Sequence, residues 1–296
     1  MPLSDSLVEM RESVISRVLG FQGSAVLNGT GNMSGTSKGA ELSVALKQVA
    51  NSLKAAGIDE TGRRVDYAQL RASDAYAALR HELTPQLSSF DPGLLATDGE
   101  RLAFWINLYN VLVLDAVITF GVSRSVTEGR AGVLSFFRRA AYDVGGFRFS
   151  ANDIEHGILR SNRPHWAIPG RQLGPSDPRL AWRVARFDPR IHFALNCASR
   201  SCPPISFYDA QRIDSQLDVA TAGFIAADVA VFPKQRILRL SSIFRLYKDD
   251  FGGRAGIITL LRQYLPHGVA LDWLRSQGAR AKLDYRPYDW TLNGAP

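Results

Sequence analysis

The spacing of hydrophobic residues predicts two helices in the first half of the chain. In residues 42–56 the apolar positions recur every three to four residues, as on one face of an amphipathic helix. Residues 100–120 (ERLAFWINLYNVLVLDAVITF) are apolar on nearly every side and are followed by Gly121. Because a helix that is hydrophobic all round must be buried, this second segment is predicted to be the central helix of the core.

Strand-like patterns appear only in the second half. Residues 142–149 read as a β-hairpin that turns at Gly145-Gly146, and short strands are predicted at 191–196 and 236–240. Further helices are predicted at 72–83, 91–97 and 209–226, with helices or turns at 241–264. Because helices come first and strands later, the predicted fold class is α+β. The buried central helix should pack against a small, largely antiparallel sheet, with the other helices around it.

The first forty residues differ from the rest in composition. Residues 1–20 predict one short amphipathic helix, whereas residues 23–41 (GSAVLNGTGNMSGTSKGAE) are rich in Gly, Ser, Thr and Asn and have no apolar period. Such a segment is typical of a flexible linker. We therefore divide the chain into residues 1–40, an N-terminal helix plus linker, and residues 41–296, a single α+β domain.

Composition narrows the class of protein. The 296 residues are 46% hydrophobic and 21% charged, as in ordinary soluble proteins, and no uninterrupted apolar run reaches the length of a membrane span. Two cysteines are too few for a disulfide-rich secreted scaffold, so a cytoplasmic location is predicted. The net charge of +7 comes from scattered arginines. It suits an anionic ligand, but no motif predicts specific nucleic-acid binding, and the sequence does not determine the oligomeric state.

Both cysteines lie in one short segment, RIHFALNCASRSCPPI, which spans residues 190–205 and also contains His192. Three interpretations stay open. A thiolate nucleophile needs a nearby imidazole and an electropositive setting, which His192 and Arg200 offer. Cys197 and Cys202 with His192 and His156 would instead form a zinc set, although the spacing C-x4-C is loose for one. Buried or bridged sulfurs without any chemistry are the third interpretation.

Other polar residues occupy positions that favour chemistry. Asp153 and His156 are three residues apart on a predicted helix, so the carboxylate can orient the imidazole as a general base requires. Asn107 and Asn110 fall on one face of the central helix. Buried amides must be hydrogen-bonded, so these asparagines either line a pocket or hold the backbone of neighbouring loops.

Five sequence blocks resemble a known family. In order they are LAFWINLYN, VGGFRFSANDIEHGILR, DPRIHFALNCASRSCPPI, LSSIFRLYKDDFGG and YDWTLN. Together they resemble the "domain of unknown function 547" family over residues 65–293, and the family name offers no reaction to transfer. The resemblance marks the polar residues that coincide with its blocks: Trp105, Asn107, Asn110, Asp153, Glu155, His156, His192, Asn196, Cys197, Ser199, Cys202, Asp250, Asp289 and Trp290.

The C-terminal block YDWTLN has two interpretations. Tyr288, Trp290 and Leu292 alternate at strand spacing, which predicts a last strand that buries Trp290 in the core. Alternatively, Asp289 reaches the histidines and cysteines as their orienting carboxylate.

The leading hypothesis is a cysteine-dependent hydrolase or acyl transferase that acts on an amide or thioester in a small-molecule or peptide-like substrate, without metal or cofactor. The alternatives are a non-catalytic scaffold or binding module with a structural polar layer, and a structural zinc site, so the sequence leaves open whether the protein is an enzyme. The predicted roles are Cys197 or Cys202 as nucleophile, His192 or His156 as base, Asp153 as orienter and Asn107 or Asn196 as oxyanion donor. Substrate contacts are predicted for Trp105, Asn110, Asn196, Ser199 and Arg200.

Overall fold

The computed structural model describes residues 4–20, 23–28, 39–128 and 132–294, and it confirms the α+β class. The α-helices are α1 (Asp5–Leu19), α2 (Gly39–Gly57), α3 (Tyr67–Arg71), α4 (Asp74–Ala78), α5 (Asp98–Thr119), α6 (Val133–Arg139), α7 (Ile213–Asp228), α8 (Ile243–Leu246), α9 (Gly253–Tyr264) and α10 (Val269–Gln277). The strands are β1 (Ala141–Val144), β2 (Phe147–Ser150), β3 (Ala230–Phe232), β4 (Ile237–Leu240) and β5 (Lys282–Tyr285).

Helix α5 is the predicted central helix. Every residue from Leu102 to Ile118 is buried. The helix begins two residues earlier than predicted because Thr97 and Glu100 form a capping box: the Glu100 amide donates to Thr97 Oγ1 at 3.2 Å, and the Thr97 amide donates to Glu100 Oε2 at 2.8 Å. By length and composition α5 could cross a membrane, but 89% of its most apolar window is buried inside the protein, as in the core helix of a globular domain.

A buried carboxylate ties α5 to its neighbours. Asp115 is fully buried, and its Oδ2 accepts hydrogen bonds from Tyr142 in β1 at 2.7 Å and from Arg80 at 2.8 Å. Its Oδ1 accepts from Tyr76 in α4 at 2.8 Å and from Thr119 at 3.1 Å. Each oxygen therefore has two donors, which is the condition for burying a charge without a large penalty.

Two small sheets flank the helices. Strands β1 and β2 form the predicted antiparallel hairpin, and both turn glycines, Gly145 and Gly146, have positive φ angles of 61° and 79°. Trp105 of α5 packs against Phe149 of this hairpin, with ring centroids 4.8 Å apart. In the second sheet β4 lies between β3, which is antiparallel to it, and β5, which is parallel.

The predicted strand at 191–196 is wrong, because residues Pro189–Phe193 form a 3₁₀-helix. Pro189 fixes its φ at the first position of that turn, and the Asp188 side chain caps it by accepting a hydrogen bond from the Arg190 amide at 2.9 Å. The predicted helices at 72–83 and 91–97 are broken into short α, π and 3₁₀ segments, with prolines at positions 85 and 92.

The prediction of a C-terminal strand is also wrong in detail. The described residues after Tyr285, 286–294, form only single β-bridges, which join Ser125 to Thr291, Ser199 to Leu292 and Val65 to Gly294. Trp290 is half-buried rather than enclosed, and its ring packs against Tyr288 with centroids 4.4 Å apart. The segment is therefore held by its backbone more than by its tryptophan.

The N-terminal helix and part of the predicted linker pack onto the domain. In α1, Arg11 donates to three backbone carbonyls of residues 169–172, and Glu12 pairs with Arg138 at 3.0 Å. The Leu27 amide donates to the Ala141 carbonyl at 2.7 Å, and Asn28 is buried. Leu27 and Asn28, at the start of the predicted linker, therefore contact the domain, and the central part of that linker, residues 29–38, lies outside the described residues.

Candidate functional site

A small cavity of about 60 Å³ lies where the segment 190–205, called here the cysteine loop, meets the segment 152–166 and the C-terminal residues. That volume is enough for a few water molecules or for one small chemical group. Its polar wall contains Asn152, Glu155, His156, His165, His192, Cys197, Cys202, Tyr109, Tyr247 and Tyr288. Its apolar wall contains Phe137, Trp166, Leu195, Pro203, Ile243, Leu246 and Trp290.

One side of the cavity is a π-helix, Asp153–Leu159, that follows the hairpin. Ser150 starts this turn, since its hydroxyl accepts from the Asp153 amide at 3.1 Å while the Asp153 carboxylate accepts from the Ser150 amide at 2.9 Å. π-Helices are rare and often occur at functional sites, because the wider turn changes which side chains share a face. Here Asn152, Glu155 and His156 all line the cavity.

The Glu155 carboxylate is held between two tyrosines. Oε1 accepts from the Tyr247 hydroxyl at 2.6 Å, and Oε2 accepts from the Tyr109 hydroxyl at 3.2 Å. Burial, followed by the Glu155 charge, raises the pKa of both tyrosines well above the usual value. Both hydroxyls therefore stay protonated and act as fixed donors to Glu155.

His156 is a neutral donor. Arg160 Nη1 lies 2.7 Å from His156 Nδ1, and because an arginine only donates, Nδ1 accepts and the proton is on Nε2. Burial, followed by the nearby Arg160 charge, lowers the pKa of His156 well below its usual value. This histidine cannot serve as a general base near neutral pH, but its Nε2–H can donate to a ligand.

His192 has the opposite arrangement. Its Nε2 lies 2.8 Å from Asp250 Oδ2, and Asp250 also accepts from Arg160 at 2.6 Å and from Arg163 at 3.1 Å. Although burial opposes it, the hydrogen bonds from His192 and Arg160 hold the pKa of Asp250 below its usual value. Burial lowers the pKa of His192 despite this carboxylate. His192 is therefore neutral and donates through Nε2, and no described residue bonds the lone pair on its Nδ1.

His165 completes the histidine cluster. Its ring meets the His156 ring edge-on, with centroids 4.7 Å apart, and its Nδ1 accepts from the Ala167 amide at 2.9 Å. Burial, with the charges of Arg138 and Arg160, lowers its pKa to about 3. All three histidines of the cavity thus favour the neutral form in the folded protein.

We expect this cluster to make the protein sensitive to acid. Between pH 6 and 4 the unfolded chain binds a proton at position 165 and the folded protein does not, so stability falls as the pH drops below about 6.5. His165→Gln should flatten the dependence of unfolding free energy on pH by about 1.4 kcal/mol per pH unit in that window. Urea denaturation at several pH values measures it, and the same change at the exposed His81 should leave the slope unaltered. If His165→Gln leaves the slope of unfolding free energy against pH unchanged, the prediction that His165 makes the protein sensitive to acid is wrong.

The two cysteines form a disulfide on the cavity wall, with their Cα atoms 6.2 Å apart. The Tyr288 hydroxyl lies 3.1 Å from Cys197 Sγ and 3.2 Å from Cys202 Sγ. The structure thus shows the bridged state among the three interpretations. The zinc set is not assembled, and within the described ranges no group of three or more His, Cys, Asp or Glu side chains is placed to hold a metal ion.

Several predicted site residues hold the backbone instead of lining the cavity. Asn107 exchanges two hydrogen bonds with the backbone of Tyr208, and Asn110 bonds the backbone of Ala194, Asn196 and Ser206. Asn196 caps its own loop by bonding the Ala198 amide and the Pro203 carbonyl. Asn110 and Asn196 thus fix the cysteine loop and Asn107 fixes the segment just after it, so the side chains of both predicted oxyanion donors, Asn107 and Asn196, are engaged with backbone groups.

The remaining predicted residues lie beside the cavity or away from it. Asp153 accepts from Ser150 and from Gln172 and makes no described contact with His156. Trp105 is in the aromatic core, and Arg200 is exposed. Ser199 donates to Cys202 Sγ at 3.3 Å. The Asp289 carboxylate accepts from the Thr291 amide and has no described hydrogen bond to a histidine, so the orienting carboxylate of His192 is Asp250 rather than Asp153 or Asp289.

Comparison with known families agrees with the sequence blocks. The family model described as "Protein of unknown function, DUF547" matches residues 95–225. The predicted family resemblance is confirmed. The DUF547 match contains the first three blocks, whereas LSSIFRLYKDDFGG and YDWTLN lie beyond it. No curated protein and no solved structure matches the chain.

The DUF547 match and the segments after it build the cavity together. The matched range contributes the π-helix and the cysteine loop, while Tyr247, Tyr288 and Trp290 come from the rest of the chain. Sequence reasoning missed Asn152, Tyr109, Tyr247 and His165. Glu155 and Asp250 were marked by the family blocks, but only the structure shows what they bind.

Proposed function

We propose that the protein is a cysteine-dependent hydrolase or acyl transferase that acts on an amide or thioester once the Cys197–Cys202 disulfide has been reduced. One observation carries this proposal: both sulfurs, a histidine oriented by a buried carboxylate and a neutral histidine donor line the same cavity. A nucleophile, an oriented base and a donor for the acyl oxygen are the parts that acyl transfer requires.

Cys197 is the proposed nucleophile because it is half-buried, whereas Cys202 is almost fully buried. A cellular dithiol first reduces the disulfide and is itself oxidised. His192 Nδ1 then accepts the Cys197 proton, and the thiolate attacks the acyl carbon to form a thioester. The protonated His192 returns the proton to the departing amine or thiol. Water or another nucleophile finally releases the acyl group and the Cys197 thiol.

The proposal includes a location and a substrate class. The cytoplasm keeps thiols reduced, so a cytoplasmic protein would hold Cys197 in its active form. Because the cavity is small and its lining includes Trp166 and Trp290, the substrate would insert a short acyl group from a small-molecule or peptide-like compound.

The experiment uses S-acetyl-N-acetylcysteamine, a small acyl thioester. After reduction with dithiothreitol, the wild-type protein should carry an acetyl group on Cys197, identified by peptide mass spectrometry. Cys197→Ser should abolish this labelling. Cys202→Ser is the matched control, because it also removes the disulfide but leaves the nucleophile, and it should still be labelled.

Two further variants test the base. His192→Gln should slow acetylation of Cys197 by about 10²–10⁴-fold, the usual contribution of a general base. His81→Gln, at an exposed position, should not. If the reduced wild-type protein is not acetylated on Cys197, or if Cys197→Ser is labelled equally, the enzyme proposal is wrong and the non-catalytic scaffold becomes the better explanation.

A further inference from the structure

A buried amide on the cavity wall has an unused donor. Asn152 is only 4% exposed, and its Nδ2 atom makes no hydrogen bond to any described residue. Buried amides are nearly always paired, so an unpaired one on a cavity wall indicates a position that a ligand completes. Asn152 lines the cavity directly before the π-helix.

A second unused donor lies one turn away. His156 follows Asn152 by four residues, and both line the same cavity. Its Nδ1 is occupied by Arg160, and no described residue bonds Nε2, so the Nε2–H is available to a ligand. The guanidinium on the far side of the ring draws electron density from the imidazole and makes this N–H a stronger donor.

Two neutral donors among the residues that line one cavity match one kind of acceptor. A carbonyl oxygen accepts two hydrogen bonds and needs no counter-charge in the ground state, but it gains negative charge when a nucleophile attacks its carbon. A substrate carboxylate fits less well, because the Glu155 carboxylate lies on the same wall.

We infer that Asn152 Nδ2–H and His156 Nε2–H together bind the carbonyl oxygen of an uncharged acyl group. This inference rests on the proposed acyl-transfer function for its biological meaning. In this arrangement Asn152 and His156 are the donors to the developing oxyanion. The side chains of Asn107 in the central helix and Asn196 in the cysteine loop are engaged with backbone groups instead. Tetrahedral attack by Cys197 would strengthen both hydrogen bonds.

Binding is tested with the disulfide intact, so that no free thiol can react. The full-length chain is labelled with ¹⁵N-histidine and titrated with S-acetyl-N-acetylcysteamine while the Nε2–H signal of His156 is followed by NMR. We expect that signal to move downfield as the carbonyl oxygen accepts. Asn152→Ala should raise the Kd at least tenfold, and Asn152→Asp, which keeps the volume but replaces the donor by an acceptor, should do the same. Asn51→Ala, at an exposed position, is the control.

The charge preference is tested with a matched pair of thioesters. S-butyryl-N-acetylcysteamine should bind at least tenfold more tightly than S-succinyl-N-acetylcysteamine, which has the same acyl chain length but carries a carboxylate. Equal or tighter binding of the succinyl compound would overturn the assignment to an uncharged acyl group.

The outcomes separate this inference from the proposed function. If the His156 signal stays still at millimolar thioester, or if both Asn152 variants bind like the wild type, the carbonyl site is wrong whatever the reduced protein does. If binding behaves as expected but Cys197 is never acetylated, the site stands and the enzyme proposal fails. In the reduced protein, Asn152→Ala should lower kcat by about 10²–10³-fold with a smaller change in KM.

Discussion

Replacing Asp115 with alanine is expected to lower the free energy of unfolding by about 3–5 kcal/mol, the cost of breaking a buried ion pair from one side. The carboxylate is fully buried and receives hydrogen bonds from Arg80, Tyr76, Thr119 and Tyr142. Without it, the Arg80 charge loses its partner and the Tyr142 hydroxyl is left in the core without an acceptor. Urea denaturation monitored by circular dichroism measures the change.

Two variants make this result specific. Asp115→Asn keeps one oxygen acceptor and should cost less than Asp115→Ala. Asp272→Ala, on the exposed side of α10, should cost less than about 1 kcal/mol. A loss for Asp115→Ala as small as that for Asp272→Ala would show that the hydrogen-bond network does not hold α5 to the hairpin.

The second large effect is expected from deleting residues 287–296, which should destabilise the protein by at least about 4 kcal/mol. The segment makes five described backbone hydrogen bonds to distant loops, which involve Val65, Arg124, Ala198, Arg200 and Ser201. Each contributes about 0.5–1.5 kcal/mol, and the buried Leu292 side chain adds about 2 kcal/mol or more. Differential scanning calorimetry measures the shift in Tm.

The control is a single exposed position in the same segment. Asp289→Ala removes one hydrogen bond to the Thr291 amide and should cost less than about 1 kcal/mol. A deletion variant that melts at the temperature of the full-length protein would contradict the view that this segment joins the loops.

The sequence predicted the parts of the fold that local patterns determine. A long all-apolar segment predicts a helix with apolar surroundings on every side, which the core provides for α5, and a Gly-Gly pair between short apolar runs predicts the β1–β2 hairpin. Residues 191–196 show the limit. Their apolar run fits a strand or a helix equally well, and the choice was made by Asp188 and Pro189 just before them.

The sequence predicted the candidate site only where it contains residue types, such as histidine and cysteine, that are uncommon in a core and often take part in chemistry. His156, His192 and the two cysteines were identified and do line one cavity. Tyr109, Tyr247 and Tyr288 were missed as polar groups because a buried tyrosine has the same sequence pattern as any core aromatic. The pairing of His192 with Asp250 depends on how α8 and the following turn fold back against the cysteine loop, and no local pattern reports such a contact.

The spread of the cavity wall along the chain also has a consequence for folding kinetics. Its residues come from positions between Tyr109 and Trp290, and the segment that follows Tyr285 closes it. Contacts between distant residues form slowly, because a long loop must close before any of them contributes free energy. Helix α5 and the β1–β2 hairpin can therefore form from local contacts while the cavity is still open. Recovery of ligand binding after dilution from denaturant should then lag behind recovery of helical signal, and a partly folded chain would contain helices but no site.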